Sequence, residues 1–202
     1  MIDQTLEFLK EQLNQQLKAD FGVSAGDSEA EKDLVVFIDG EKMEPLSFPT
    51  GAVSVLLVNI EQEKTMRRAE PHRSVSADGA PQRINPQIRL DLSVLFVAHF
   101  KQYEIGLKTL SGIAQFYQEH PLFLHTEYPQ LPSRIARLAV EPVSLPFAEQ
   151  NEVWSALRTT YRPSLLYRIR MLVFSDRLPA SIPAVSETEI DVLHKKQGED
   201  RG

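Results

Sequence analysis

Between Ile88 and Ala98 the chain alternates with a period of two. Ile88, Leu90, Leu92, Val94, Phe96 and Ala98 fall on one side, and Arg89, Asp91 and Ser93 on the other. Only an extended strand sends successive side chains to opposite faces, so the segment is a strand with one apolar and one polar face. Past Val94 both sets become apolar, because Leu95 and Val97 replace the charged residues. A strand apolar on both sides must run into the centre of a sheet that is covered on both faces at that end. The fold therefore has to be organised around a sheet.

The remaining elements fit such a sheet. Ile2, Leu6, Leu9, Leu13 and Leu17 recur at steps of three and four and predict an N-terminal helix, with Asp3 and Glu7 at its positive end. Leu34 to Asp39 and Ala52 to Ile60 read as strands, the second buried at Leu56, Leu57 and Val58. The polar stretch from Glu61 to Gln87 loses all periodicity, and a connection of that length is functional or disordered. A helix follows from about Tyr103 to His120, with Leu107, Leu110, Ala114 and Tyr117 as its stripe and Pro121 at its end. Arg134 to Val140 is a further strand. Ser144 is placed to cap a short helix, on which Phe147, Trp154 and Leu157 share a face. Leu165, Tyr167, Ile169, Met171 and Val173 alternate with Arg168 and Arg170 in the last strand. The order α-β-β-β-α-β-α-β, without internal repeat, predicts an α+β fold: a single mixed β-sheet with helices packed on it. The domain spans 1–178, and 179–202, rich in Pro, Ser and charge, reads as a flexible tail.

Composition excludes several functions. The chain of 202 residues has a net charge of -6, which speaks against general nucleic-acid binding. It has no cysteine, so disulfides, thiolate zinc sites and cysteine nucleophiles are ruled out. No apolar run approaches the roughly 20 residues needed to cross a bilayer. The N-terminus lacks a secretion signal, so a cytoplasmic origin without membrane insertion is expected. Neither a phosphate loop nor a Gly-x-Ser-x-Gly elbow is present. His120 and His125, five apart across Pro121, do not share a helical face as metal ligands would. Glu61 and Glu63 point the same way from a strand end and read as an acidic edge before an acid–base pair. The residues thus call for no catalysis, no metal and no cofactor. A small enzyme with a dispersed site is the rival reading.

Charge placement marks candidate contact surfaces. Arg89, Asp91, Arg168 and Arg170 lie on polar strand faces, either as cross-strand pairs or as a charged protein interface. Lys64, Arg67, Arg68, Arg73, Arg83 and Arg89 are opposed between Lys64 and Arg89 only by Glu70 and Asp78, a basic segment in an acidic protein. Such an arm would dock fastest on an acidic neighbour. Trp154 reads as a core anchor, and Arg162 braces the turn before the last strand.

Taken in order, three segments resemble the N-terminal domain of the cap, or tail-terminator, proteins of extracellular contractile injection systems. They are VLLVNIEQEKTMRR from Val55 to Arg68, NPQIRLDLSVLFVAHFKQY from Asn85 to Tyr103 with the helix that follows, and EVWSALRTTYRPSLLYRIRMLV from Glu152 to Val173. The resemblance covers roughly residues 1 to 175 and implies a tail-terminator-like fold. It implies a ring, expected to be a hexamer, that ends the inner tube and ties the last sheath layer to it within a phage-tail-like particle. The implied partners are further copies of the chain, the inner tube protein and the sheath protein. A connector or baseplate-type adaptor of the same particle is the alternative. Head-to-tail rings close by rotation where a tube would keep growing, and a neighbour's extended arm could add a strand to the sheet. Arg67 and Arg68 lie in the matching loop and are the first contacts to expect. Lys64, Arg73, Arg83, Arg168 and Arg170 complete the candidate partner-binding set.

Overall fold

The computed structural model describes residues 1–21, 32–39, 46–63, 73–75, 81–83, 88–173 and 180–181. In chain order the elements are α1 (Ile2–Asp20), β1 (Val35–Phe37), β2 (Ala52–Gln62), β3 (Arg73–Val75), β4 (Pro81–Arg83), β5 (Ile88–His99), α2 (Tyr103–Glu119), β6 (Leu122–Leu124), β7 (Ile135–Val143), α3 (Phe147–Ala156), β8 (Ser164–Val173) and β9 (Ala180–Ser181). The chain divides into two units. The larger takes 1–68 and 87–176, the smaller 69–86 and 177–202. In the smaller unit β3, β4 and β9 form a three-stranded antiparallel sheet. Apart from β9, the expected tail 179–202 lies outside the described residues.

The larger unit is built on a six-stranded sheet in the order β1-β2-β5-β8-β7-β6. It is mixed, since β1 runs parallel to β2 while the other neighbours are antiparallel. This is the α+β architecture the alternation predicted, and β5 sits in the interior of the sheet between β2 and β8. The even-numbered residues of β5, Leu92 to Ala98, join Phe8, Leu9, Leu13 and Leu17 of α1 and Leu110, Ile113, Phe116 and Tyr117 of α2 in the main core. Gly112 permits the close approach of the helices: a Cβ there would come within 2.7 Å of Leu17 Cδ2. On the opposite face Leu95 and Val97 pack with Phe48, Leu56 and Trp154 of α3 in a second, smaller cluster.

Several local expectations shift. The buried stripe of α2 runs through Gly106, Thr109, Leu110, Ile113, Phe116 and Tyr117, leaving Leu107 41% exposed. Thr109 tolerates this burial because its hydroxyl donates to the Ile105 carbonyl at 2.8 Å. In α1, Thr5, Phe8 and Asn14 are buried in addition to Leu9, Leu13 and Leu17, while Ile2 and Leu6 pack only at the margin. Phe147 does not share the burial of Trp154: it is 90% exposed. It opens α3, a helix of only 10 residues, so a residue one heptad before Trp154 projects past the small cluster. Ser144 does not cap that helix, whose N-cap is Pro146 without a side-chain bond. The short β6 went unread because three residues carry too little pattern.

Candidate functional site

Among the described residues, the α3-side face of the large sheet is covered over only part of its extent. Odd-numbered β5 residues change from Leu95 and Val97, beneath α3, to Ser93, Asp91 and Arg89, and the neighbouring strands change with them. A bulge between Leu57 and Asn59 in β2 resets the alternation, so that Asn59 pairs with Ser93 and Glu61 with Asp91. The Glu63 amide continues the ladder by donating to the Arg89 carbonyl at 3.2 Å. In β8, Arg168 lies opposite Ser93 and Arg170 opposite Asp91. In β7, Glu141 lies opposite Arg168, Ala139 opposite Arg170, and Arg137 opposite Leu172.

These registers gather charges of both signs into a grid on one face. Arg170 reaches diagonally to Glu141, at 3.2 Å, with side chains 42% and 49% exposed. Its Nε is nevertheless buried and has no protein hydrogen-bond partner. Glu61 and Asp91 are like charges placed directly opposite, an arrangement that costs stability. Burial lifts the Asp91 carboxyl above its usual range; Arg170 pulls the other way, and Glu63 adds to the rise. Between the strands lies a groove of about 190 Å³, lined by Glu63, Arg89, Asp91, Arg137, Glu141 and Arg170 among others. Charge runs across it in a definite order: carboxylates on β2, both signs on β5, guanidinium groups on β8, and both signs on β7.

The other sequence candidates fall elsewhere. Arg168 and Arg170 lie in this grid. Arg73 and Arg83 are register partners in β3 and β4 of the smaller unit. Lys64, Arg67 and Arg68 lie outside the described residues. Arg137 and Glu141 were missed: Arg137 lay within the strand read as Arg134 to Val140 but was not singled out, and Glu141 lay just past its end. The three described histidines hold backbone: Nδ1 lies 2.8 Å from the Phe48 carbonyl for His99, 3.1 Å from that of Phe116 for His120, and 2.9 Å from that of Leu131 for His125. Among the described residues no group of three or more His, Asp or Glu is arranged to hold a metal. The cavity beneath α3, about 70 Å³, is lined mainly by Leu95, Val143, Leu145, Val153, Trp154 and Leu166.

Among the described residues, α1 and α2 back one face of the sheet, while the other face carries α3 at one end and charged side chains of both signs at the other. The chain belongs to the Pvc16 N-terminal domain family, whose model matches residues 4–188. Among solved structures it is similar to the sheath/tube terminator of an extracellular contractile injection system, PVC, in its extended state. The TM-score is 0.51 at 16% identity, over 92% of this chain and 64% of that one. It is also similar to the tube-terminating cap of the anti-feeding prophage, with a TM-score of 0.46 at 17% identity, over 70% of this chain and 49% of that one. The chain thus spans less than two-thirds of either solved chain. No curated protein sequence matches it.

Proposed function

We propose that this chain is a structural cap component that ends the inner tube of a contractile injection particle and ties the last sheath layer to it. The observation that carries this reading is the family match over residues 4–188. The fold likeness to a sheath/tube terminator supports it. The chain acts by binding rather than by chemistry, and it assembles as a ring of copies, expected to be a hexamer. It folds in the cytoplasm and leaves only as part of the particle.

The charged half-face is the contact surface of this reading. Arg168 and Arg170 supply its basic stripe, and Glu61, Glu63 and Asp91 its acidic one. Lys64, Arg67, Arg68, Arg73 and Arg83 are further basic contacts in this reading. Opposed stripes of this kind fix register and speed association more than they add raw affinity.

The test is the mass of the purified chain by light scattering across a concentration series, alone and with its tube protein. Closed rings of about six copies, alone or on adding tube, fit the cap reading. A monomer that ignores the tube protein at every concentration contradicts it.

A further inference from the structure

We propose that α1 seals the outer edge of the large sheet, with Asn14 standing in for the backbone of a further strand, and that this seal keeps β1 from pairing with β1 of a second copy. β1 ends the strand order. The Val53 amide donates to the Leu34 carbonyl at 2.7 Å, so Leu34 faces β2 and, by alternation, the amide and carbonyl of Val35 face outward. An edge of this kind is a template for another chain. Both groups are taken by one side chain. The Val35 amide donates to Asn14 Oδ1 at 2.9 Å, and Asn14 Nδ2 donates to the Val35 carbonyl at 2.8 Å. A carboxamide offers the same donor and acceptor as a peptide group, and Asn14 is only 5% exposed.

The flanking contacts extend the seal. Lys10 sits over the Phe37 ring, 5.0 Å from its centroid, and Lys18 Nζ meets Asp33 at 2.9 Å. Positions 10, 14 and 18 of the helix therefore meet positions 37, 35 and 33 of the strand and its approach. Four helical residues rise about 6.0 Å, and two strand residues about 6.6 Å, so the two elements stay in step. Beyond β1 the margin passes to β2, where the outward Ile60 amide donates to Asn59 Oδ1 at 2.9 Å. At this margin copies meet through side chains rather than by strand addition. The inference stands on this geometry alone and does not depend on the cap reading.

The test compares the wild-type chain with Asn14→Ala, Asn14→Asp and Asn14→Ala/Phe37→Glu. Amide exchange at Val35 and mass by light scattering are measured on each. Asn14→Ala should speed Val35 exchange about tenfold, the loss of one satisfied buried pair, and add concentration-dependent mass beyond the wild-type species. Asn14→Asp keeps the acceptor for the Val35 amide but turns a carboxylate oxygen against the Val35 carbonyl, so both effects should be at least as large while that carboxyl is ionised. It also serves as the reporter should Asn14→Ala fail to fold. A charge at Phe37 blocks strand pairing at the edge, so Phe37→Glu should return the mass to that of the wild type. Unchanged Val35 exchange, faster exchange without added mass, or added mass indifferent to Phe37→Glu would each overturn the proposal.

Discussion

The two ends of β5 differ on one face and agree on the other. Toward α2 and α1 the strand is apolar from Leu90 to Ala98, and one continuous core covers it. Toward α3 it is apolar only at Leu95 and Val97, where Trp154 and Phe48 close a small cluster. It then turns to Ser93, and beyond it to Asp91 and Arg89, which line the charged groove. Burial of apolar area holds the first region together, whereas exposed ion pairs contribute little to the second. The charged half is thus a poor way to stabilise a sheet and a suitable way to present one to a partner.

The largest expected effects lie in the main core. Phe96 is 1% exposed and packs against the rings of Tyr117 and Tyr167 at 5.9 and 5.8 Å between centroids. Phe96→Ala should cost about 3–5 kcal/mol. Trp154→Ala removes the centre of the smaller cluster and should fall at the low end of that range, about 3 kcal/mol, because α3 can settle toward the sheet. Urea midpoints of both variants decide the order. A larger loss at Trp154 would mean that the α3 side carries more of the fold than its few members suggest.

A smaller effect is expected at Tyr117. Its hydroxyl is buried without a protein hydrogen-bond partner, and burial raises its pKa well above the ordinary value. Removing an unsatisfied polar atom is neutral or favourable, so Tyr117→Phe should change stability by no more than about 1 kcal/mol, with gain the expected sign. Thermal melting of the pair checks this, and a loss above that size would show that the hydroxyl is bonded in solution.

Much of this contrast was legible in the sequence, because strand alternation records both periodicity and which face is wet. The pattern of Leu165 to Val173 placed Arg168 and Arg170 opposite the core, and Trp154 was correctly read as an anchor. What escaped was whatever depends on where an element stops. The bulge after Leu57, which brings Asn59 and Glu61 onto the charged face, leaves no mark in a run of apolar residues. Phe147 looks like core on a helical wheel, but a wheel does not say that the helix overhangs its cluster. Asn14 gave no signal either, since a polar residue on an amphipathic helix reads as solvent-facing until the strand beside it is known.

The smallest expected effect is on the charged face. The Asp91 carboxyl titrates above its usual range in the folded chain. The cost of ionising it is therefore present above that folded value and disappears as pH falls through it. Asp91→Asn should be slightly more stable than the wild type at neutral pH, by less than about 1 kcal/mol, with the advantage fading in acid. Melting temperatures of both proteins across pH measure this. A variant less stable at neutral pH would mean that the Arg170 attraction outweighs burial.

The most direct test of the central claim is co-sedimentation of the Arg168→Glu/Arg170→Glu double variant with assembled sheath and tube, with the melting temperature recorded alongside. The account predicts binding lost by tenfold or more, about 1.4 kcal/mol or greater, with the fold kept and stability lowered by no more than about 2 kcal/mol, the cost of the new like-charge neighbours. Wild-type binding by a folded double variant would contradict it, because the charged half-face would then be only the solvated side of a sheet.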